Sequence, residues 1–348
     1  MLTEQNRLAI LMHEGIRSLF GKTGIGLLRY SRAPVVAVID HECAGQSLFA
    51  LTGIPREVPI VASVQEALAY QPDTLVIGIA PPGGMLPEPW WQEVKQAVQA
   101  GLNLVNGLHL LMADHPELKP LLRKGQWIWD IRREPPGLQV GTGAARHLPC
   151  KRVLTVGTDM SVGKMTVSLE MHRLCLQRGL RSKFLATGQT GIMIEGDGVA
   201  LDAVRVDFAS GAIEHFTLRL SQDADILHIE GQGSLFNPAS TAMLPLLRGA
   251  QPTHLILVHR AGQTHIWRYP DVPIPPLPVA IRLYEAVAAA GGAFYPSRVV
   301  AIALNTAHLS ESEARAAIEQ TRQETGLPCT DPLRFGAEPL VDAVLSSP

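Results

Sequence analysis

The residues of this chain best placed to do chemistry are Gly157, Gly163 and Lys164, set in the run Val153-Leu154-Thr155-Val156-Gly157-Thr158-Asp159-Met160-Ser161-Val162-Gly163-Lys164-Met165-Thr166. Glycines let a backbone curl until several N–H groups point inward, a helix starting there adds its positive end, and a lysine supplies a mobile charge. Phosphate oxygens are the natural guest. The β-branched run before Gly157 reads as a strand and the pattern after Lys164 as a helix. Gly157, Thr158, Asp159, Ser161, Val162, Gly163, Lys164, Met165 and Thr166 are therefore the expected cofactor-binding residues.

The spacing is unusual. Five residues separate Gly157 from Gly163 where the common phosphate loop has four, and Met165 stands where a hydroxyl normally meets magnesium. Thr166 comes one place late, and one residue of helix turns a side chain by about 100°. It does not simply replace the missing ligand, which weighs against standard magnesium-ATP chemistry. Gly-Thr-Asp-x-x-Val-Gly-Lys resembles the phosphate loop of dethiobiotin synthetase and its relatives, in which the wider gap is normal.

The strongest companion to the loop is Ile226-Leu227-His228-Ile229-Glu230-Gly231-Gln232-Gly233-Ser234. An apolar strand delivers a carboxylate at its end, and the glycines let the next turn approach a ligand. Alone, such a Glu more often caps a turn; beside a phosphate loop, Glu230 reads as ligand-facing, and as a metal ligand only if magnesium is used. Gly231 joins the cofactor set. Gln189, Thr190 and Gly191, after a strand ending near Thr187, are expected to contact substrate, although a plain glycine-rich turn explains them equally. Asp207 reads as a helix N-cap and equally as a contact for an amine or magnesium. Glu214 and His215 follow early in that helix, where most such side chains are solvated; Glu214 is kept as a substrate-contact candidate. His228 reads as a satisfied core histidine. The twelve histidines show no H-E-x-x-H spacing, and no structural metal is expected.

The elements that must position these residues fall into two series. From residue 35, short apolar runs (35–39, 58–62, 75–79, 102–105, 127–131) alternate with polar or helical segments, the pattern of a parallel sheet covered by helices. Ligands of such sheets sit beyond the carboxyl ends of strands, where Asp40-His41-Glu42, Ala80-Pro81-Pro82-Gly83-Gly84 and Asn106-Gly107-Leu108-His109 lie. No G-x-G-x-x-G follows the first strand, so no dinucleotide is assigned. Residues 132–150, rich in glycine and proline, read as the interdomain connection. The second series has strands near 183–187, 226–230, 254–259, 299–304 and 327–330, with helices near 164–178, 208–220, 238–248, 277–290 and 310–325. Pro270 to Pro278 reads as a proline-rich loop with the makings of a lid. Residues 3–20 read as one amphipathic helix capped by Thr3. Gly15 and Gly21-Lys22-Thr23 imitate the phosphate-loop spacing, but fall inside that helix pattern with no strand to feed them.

A chain of 348 residues, 46% hydrophobic and 18% charged, is long enough for two domains with substantial cores. The expected fold class is α/β, with two three-layer α/β/α domains at residues 1–140 and 141–348. A net charge of −2 and few aromatic residues leave no basic or base-stacking surface for nucleic acid. No apolar run approaches the ~18 residues needed to span a bilayer. Glu4 and Glu14 within an amphipathic pattern argue against a signal peptide, and the four scattered cysteines show no C-x-x-C. A cytoplasmic homo-oligomer acting on a small molecule, without membrane or nucleic-acid partners, is expected.

Taken together, the Ala80–Gly84, Asn106–His109, Gly157–Thr166, Thr187–Gly191, Asp207–Glu214 and Glu230–Ser234 blocks resemble a bacterial and archaeal family, long uncharacterised, described as D-glutamate N-acetyltransferase-like. Gly-Lys-Met-Thr is similar to that family's own form of the loop. The resemblance covers nearly the whole chain and implies a Rossmann-like N-terminal domain and a C-terminal domain of the P-loop NTPase type. It also implies acetyl transfer from acetyl-CoA to the amine of a small acidic amino acid, the loop holding phosphates of the cofactor. Lys164, Glu230 and Asp207 are then the catalytic candidates, the two carboxylates as base or amine-positioning groups. In the dethiobiotin synthetase relatives an asparagine near the fifth strand contacts adenine, and Asn305 matches it. Two other readings stay open: an ATP-dependent ligase or carboxylating enzyme using magnesium, and a nucleotide-binding protein without turnover.

Overall fold

The computed structural model describes residues 2–81 and 84–347, so Pro82 and Gly83 of the second candidate loop lie outside the described residues. The chain divides into two compact units, Met1–Glu134 with Gln189–Ala203, and Pro135–Gly188 with Val204–Pro348. Among the described residues no helix is long and apolar enough to cross a membrane.

The first unit holds a six-stranded sheet in the order β3-β2-β1-β4-β5-β6. Its strands are β1 (Leu8–Leu11), β2 (Val35–Ile39), β3 (Ile60–Val61), β4 (Thr74–Ile77), β5 (Asn103–Asn106) and β6 (Ile128–Asp130), every pairing parallel. This is the doubly wound Rossmann order, with its reversal between β1 and β4. The expected helix over 3–20 is wrong. Leu8, Ala9, Ile10 and Leu11 are all fully buried, because a strand in the middle of a covered parallel sheet loses both faces to the core. Thr3 accordingly caps no helix; its main-chain N–H donates to the Asn6 side chain at 2.9 Å.

The corrected start also changes the reading of the imitation loop. A strand does feed it, and a helix, Lys22–Tyr30, begins at its lysine. It nevertheless forms no cradle. Its amides are spent on its own turns, Gly15 N–H on Met12 O (2.7 Å), Ser18 N–H on Gly15 O (3.1 Å) and Phe20 N–H on Ser18 Oγ (3.2 Å). Gly21 sits at φ −84°, outside the left-handed region that Gly163 adopts.

The second unit carries β7 (Lys151–Gly157), β8 (Ser182–Leu185), β9 (Ile226–Ile229), β10 (His254–Arg260), β13 (Arg298–Asn305) and β14 (Cys329–Thr330) in the order β14-β13-β10-β7-β9-β8, again all parallel. The phosphate-loop strand β7 is therefore central, with β9 as its direct neighbour. Val167, Met171 and Cys175 of the helix Lys164–Gln177 share one core with Val153, Ile256 and Val258 of the sheet and with Leu340, Val341 and Val344 of the helix Glu338–Ser346. Burying each such side chain is worth roughly 1.5–3 kcal/mol. The helices expected near 208–220, 277–290 and 310–325 run Val206–Leu220, Leu277–Ala289 and Glu311–Thr325. The helix expected from 238 begins only at Met243. The proline-rich loop is partly a strand: Tyr269–Pro273 (β12) pairs antiparallel with His265–Ile266 (β11) as a separate two-stranded ribbon, an edge setting that tolerates its two prolines.

The excursion Gln189–Ala203 joins the first unit through polar ties. Arg132, only 9% exposed in its side chain, donates from Nη2 to Asp202 Oδ2 at 2.9 Å and to Gln189 Oε1 at 3.0 Å, while the Thr23 and Thr190 hydroxyls lie 3.0 Å apart.

Candidate active site

The loop Thr158–Gly163 leaves the buried end of β7 and turns into Lys164–Gln177 through two residues with left-handed backbone, Ser161 at φ 61° and Gly163 at φ 114°. Only glycine adopts the second value without strain. The helix it opens has no side-chain cap and no acidic residue in its first turn. The positive end of the helix is therefore not neutralised by a cap side chain or a carboxylate of its own first turn.

Internal contacts hold the loop in shape. Val162 is 1% exposed and belongs to the hydrophobic core, so an apolar side chain anchors the loop from below. Asn305 Nδ2 donates to the Val162 carbonyl at 3.1 Å, which is where the structure places the amide suggested for adenine. Tyr284, fully buried, donates its hydroxyl proton to Gly157 O at 2.7 Å and accepts from Leu235 N–H at 3.2 Å. Nothing in the sequence singles Tyr284 out; it lies on the helix Leu277–Ala289, and only the fold brings it under the loop.

Asp159 is fully buried and acts inward. Its carboxylate accepts from Met160 N–H (2.6 Å), Asn237 Nδ2 (2.8 Å), Gln263 Nε2 (2.7 Å) and Trp267 N–H (2.7 Å), tying the β11–β12 ribbon to the loop. What remains of Asp159 for a ligand is its main chain. Asp159→Ala leaves several buried donors unmet at about 1–3 kcal/mol each. The expected loss is about 3 kcal/mol in urea unfolding; a change below about 1 kcal/mol would mean that the ribbon is held by other contacts.

Lys164 and Glu230 are brought together. Lys164 is 6% exposed and donates from Nζ to the Asp159 carbonyl at 2.8 Å, across the loop mouth. Its stem passes over Gly231, where a Cβ would come within 3.0 Å of Lys164 Cδ and 1.7 Å of Thr155 O. The backbone contact cannot relax, so glycine is obligatory at 231. Glu230, 4% exposed, directly precedes it at the end of β9. Its Oε2 accepts from Thr187 N–H (3.0 Å) and Gly188 N–H (3.2 Å), and its Oε1 from Gln232 Nε2 (3.1 Å). Burial pushes its carboxyl up to about 7, and those hydrogen bonds with the Lys164 charge keep it from rising further. At neutral pH a carboxyl so placed passes readily between its two forms. Nearby, Thr158 Oγ1 lies 2.8 Å from His259 Nδ1, whose imidazole burial holds neutral, at about 4.

The remaining candidates differ in placement. Met165 and Thr166 are half-buried on the first helical turn after Lys164. Gln189, Thr190 and Gly191 start the helix Gln189–Glu195, in the segment that belongs to the first unit. Asp207 is exposed and does not cap its helix, whose N-cap is Arg205. Glu214 is buried and saturated: it accepts from Thr142 N–H (3.0 Å), Thr142 Oγ1 (2.7 Å), Ala144 N–H (3.0 Å) and Gly143 N–H. That carboxylate nests in the glycine-rich connection and orders it, with no lone pair left to greet a substrate. His228 is buried as expected but unsatisfied: neither ring nitrogen has a hydrogen-bond partner, and burial lowers it to about 3.

Residues 41–134 match a family model described as "Domain of unknown function (DUF1611_N) Rossmann-like domain", and residues 139–341 one described as "Domain of unknown function (DUF1611_C) P-loop domain". The crystal structure of a DUF1611 family protein from Anabaena variabilis is 64% identical, with a TM-score of 0.97 over 99% of this chain and 100% of that one. A curated relative from Tritonibacter scottomollicae, D-glutamate N-acetyltransferase, is 42% identical over 288 residues, which is 81% of this chain and 84% of the relative. A second D-glutamate N-acetyltransferase, from Pseudoalteromonas sp, is 39% identical over 284 residues, 80% of this chain and 83% of that protein.

Proposed function

The chain belongs to the DUF1611 family, and from that premise we propose that it is an N-acetyltransferase moving acetyl from acetyl-CoA to the amine of a small acidic amino acid, D-glutamate or a close analogue. The observation that carries the reading is the buried Glu230 carboxyl, titrating near 7 beside Lys164 at the mouth of a phosphate loop. An amine is a nucleophile only after losing a proton, and a base poised near the working pH takes it best.

In this reading Glu230 accepts that proton, and the freed amine attacks the thioester carbonyl. The C–N bond forms, the C–S bond breaks, and the sulfur leaves as thiolate, to be protonated from Glu230 or solvent. Acetyl-CoA supplies the activated acyl group. The chain supplies the grip: Lys164 and the start of its helix, which no N-cap side chain meets, suit the cofactor's phosphates, a use that does not require the magnesium hydroxyl absent at Met165. The Gly231 N–H is spent on Thr155 Oγ1 at 3.0 Å, which leaves the main-chain N–H groups of Gln232 and Gly233 as the donors in this reading for the tetrahedral oxyanion.

The test is incubation of the full chain with acetyl-CoA and a panel of D- and L-amino acids, read by mass spectrometry for acetylated product. Product confined to acidic acceptors supports the proposal. No product from any amine, together with stabilisation by magnesium-ATP and none by acetyl-CoA, sinks it in favour of the ligase-type reading.

A further inference from the structure

The first unit gathers its own set of reactive side chains. His13 follows β1, and Asp40 and His41 follow the neighbouring strand β2, so the three meet at the carboxyl edge of the Rossmann-like sheet. The geometry points to a divalent transition-metal site formed by His13, Asp40 and His41.

Their ligand atoms all lie within 4.8 Å of one another, with the two Nδ1 atoms 2.9 Å apart. His13 is 2% exposed and Asp40 fully buried. The far nitrogen of His13 is already held as a metal-bound imidazole usually is. Nε2 lies 3.0 Å from Glu93 Oε1, and Glu93 Oε2 is fixed by Val64 N–H at 2.7 Å. A carboxylate behind a histidine orients the ring and fixes its tautomer. The His41 main-chain N–H donates to His13 Nδ1 (3.2 Å), so Nδ1 is the unprotonated nitrogen, and a metal bound there takes over the lone pair that this hydrogen bond now uses. Trp90 packs on the ring at 5.6 Å between centroids and limits its motion.

Asp40 supplies the carboxylate of the set. Its oxygens accept from Ile16 N–H (3.3 Å) and Glu42 N–H (3.1 Å), and among the described residues it forms no ion pair. Buried charges are ordinarily paired or bound to metal. On the open side, Glu14 and Glu42 join exposed His41 in a second group of donor atoms within the same 4.8 Å limit, giving the mouth a negative field. Two imidazoles and a carboxylate suit zinc, cobalt, nickel or ferrous iron, whereas magnesium and calcium favour all-oxygen sets. Three protein ligands leave positions for water or a bound anion. The two histidines come from different strands and share no sequence spacing, which is why no motif announces them.

The test uses full-length protein stripped with chelator and titrated with cobalt(II) or zinc, followed by d–d absorption and calorimetry. One equivalent should bind with imidazole-type cobalt bands. His41→Ala, a change at an exposed position, should weaken binding by about a hundredfold or more, and Glu93→Gln by about 10–100-fold. His308→Ala, exposed in the other unit, should change nothing. Absence of stoichiometric binding, or equal affinity in His41→Ala, overturns the site. Because His41 is not a core residue, its variant remains decisive even if His13→Gln fails to fold.

Discussion

Glu230→Gln should lower kcat and kcat/KM for amine acetylation together, by about 10²–10⁴-fold, the usual worth of a positioned base. The pH profile carries the sharper signature. The proposed base works only when ionised, and burial raises its carboxyl from 4.5 to about 7. The parent rate should therefore climb with pH through about 7, and the glutamine variant should lack that acid limb. Stability runs the opposite way. A folded-state value above the unfolded one stabilises fully below 4.5 and loses that contribution as pH rises through 7. Glutamine has no such dependence, so the parent should lose thermal stability relative to Glu230→Gln across that window. An unchanged acid limb in the variant would remove Glu230 from proton transfer, whatever the size of the rate loss.

The loop, its strand and its helix are legible in the sequence because every signal for them is local. β-branched residues precede Gly157, glycine occupies the left-handed position at 163, and lysine opens a helix. β1 is illegible for the converse reason. Leu8–Leu11 is a short apolar run that fits a helix face as well as a buried strand, and only pairing with β2 and β4 decides between them. The excursion Gln189–Ala203 is harder still. Its polar ties run to Arg132 and Thr23, both remote in sequence, and nothing within the segment says which sheet it will meet. Glu214 shows how a site candidate is lost: its partners Thr142 to Ala144 lie in a stretch that reads as mere connection, yet they consume the carboxylate. Glu230 survives the same scrutiny because its three hydrogen bonds come from the rim of the phosphate loop's own neighbourhood, and its pull toward neutrality comes from burial that only the assembled sheet creates.

Lys164→Ala should raise KM for acetyl-CoA by about 10–100-fold, since a hydrogen bond from a charged donor to a phosphate is worth about 1.5–3 kcal/mol. Direct titration should show the same loss in Kd, with little change in KM for the amino acid. The variant should also move the Glu230 limb. The Lys164 charge is one of the forces holding that carboxyl down to about 7, so its removal should shift the acid limb of kcat/KM to higher pH. The two readouts are physically distinct: one follows the phosphate contact, the other the field at Glu230. A phosphate ligand bound elsewhere would leave KM for acetyl-CoA unchanged while the limb still moved. A lysine that gripped phosphate far from the reacting centre would raise KM and leave the limb in place. Only both changes together fit a single site in which the same ammonium anchors the cofactor and tunes the base, and constancy of both would separate the loop from the chemistry.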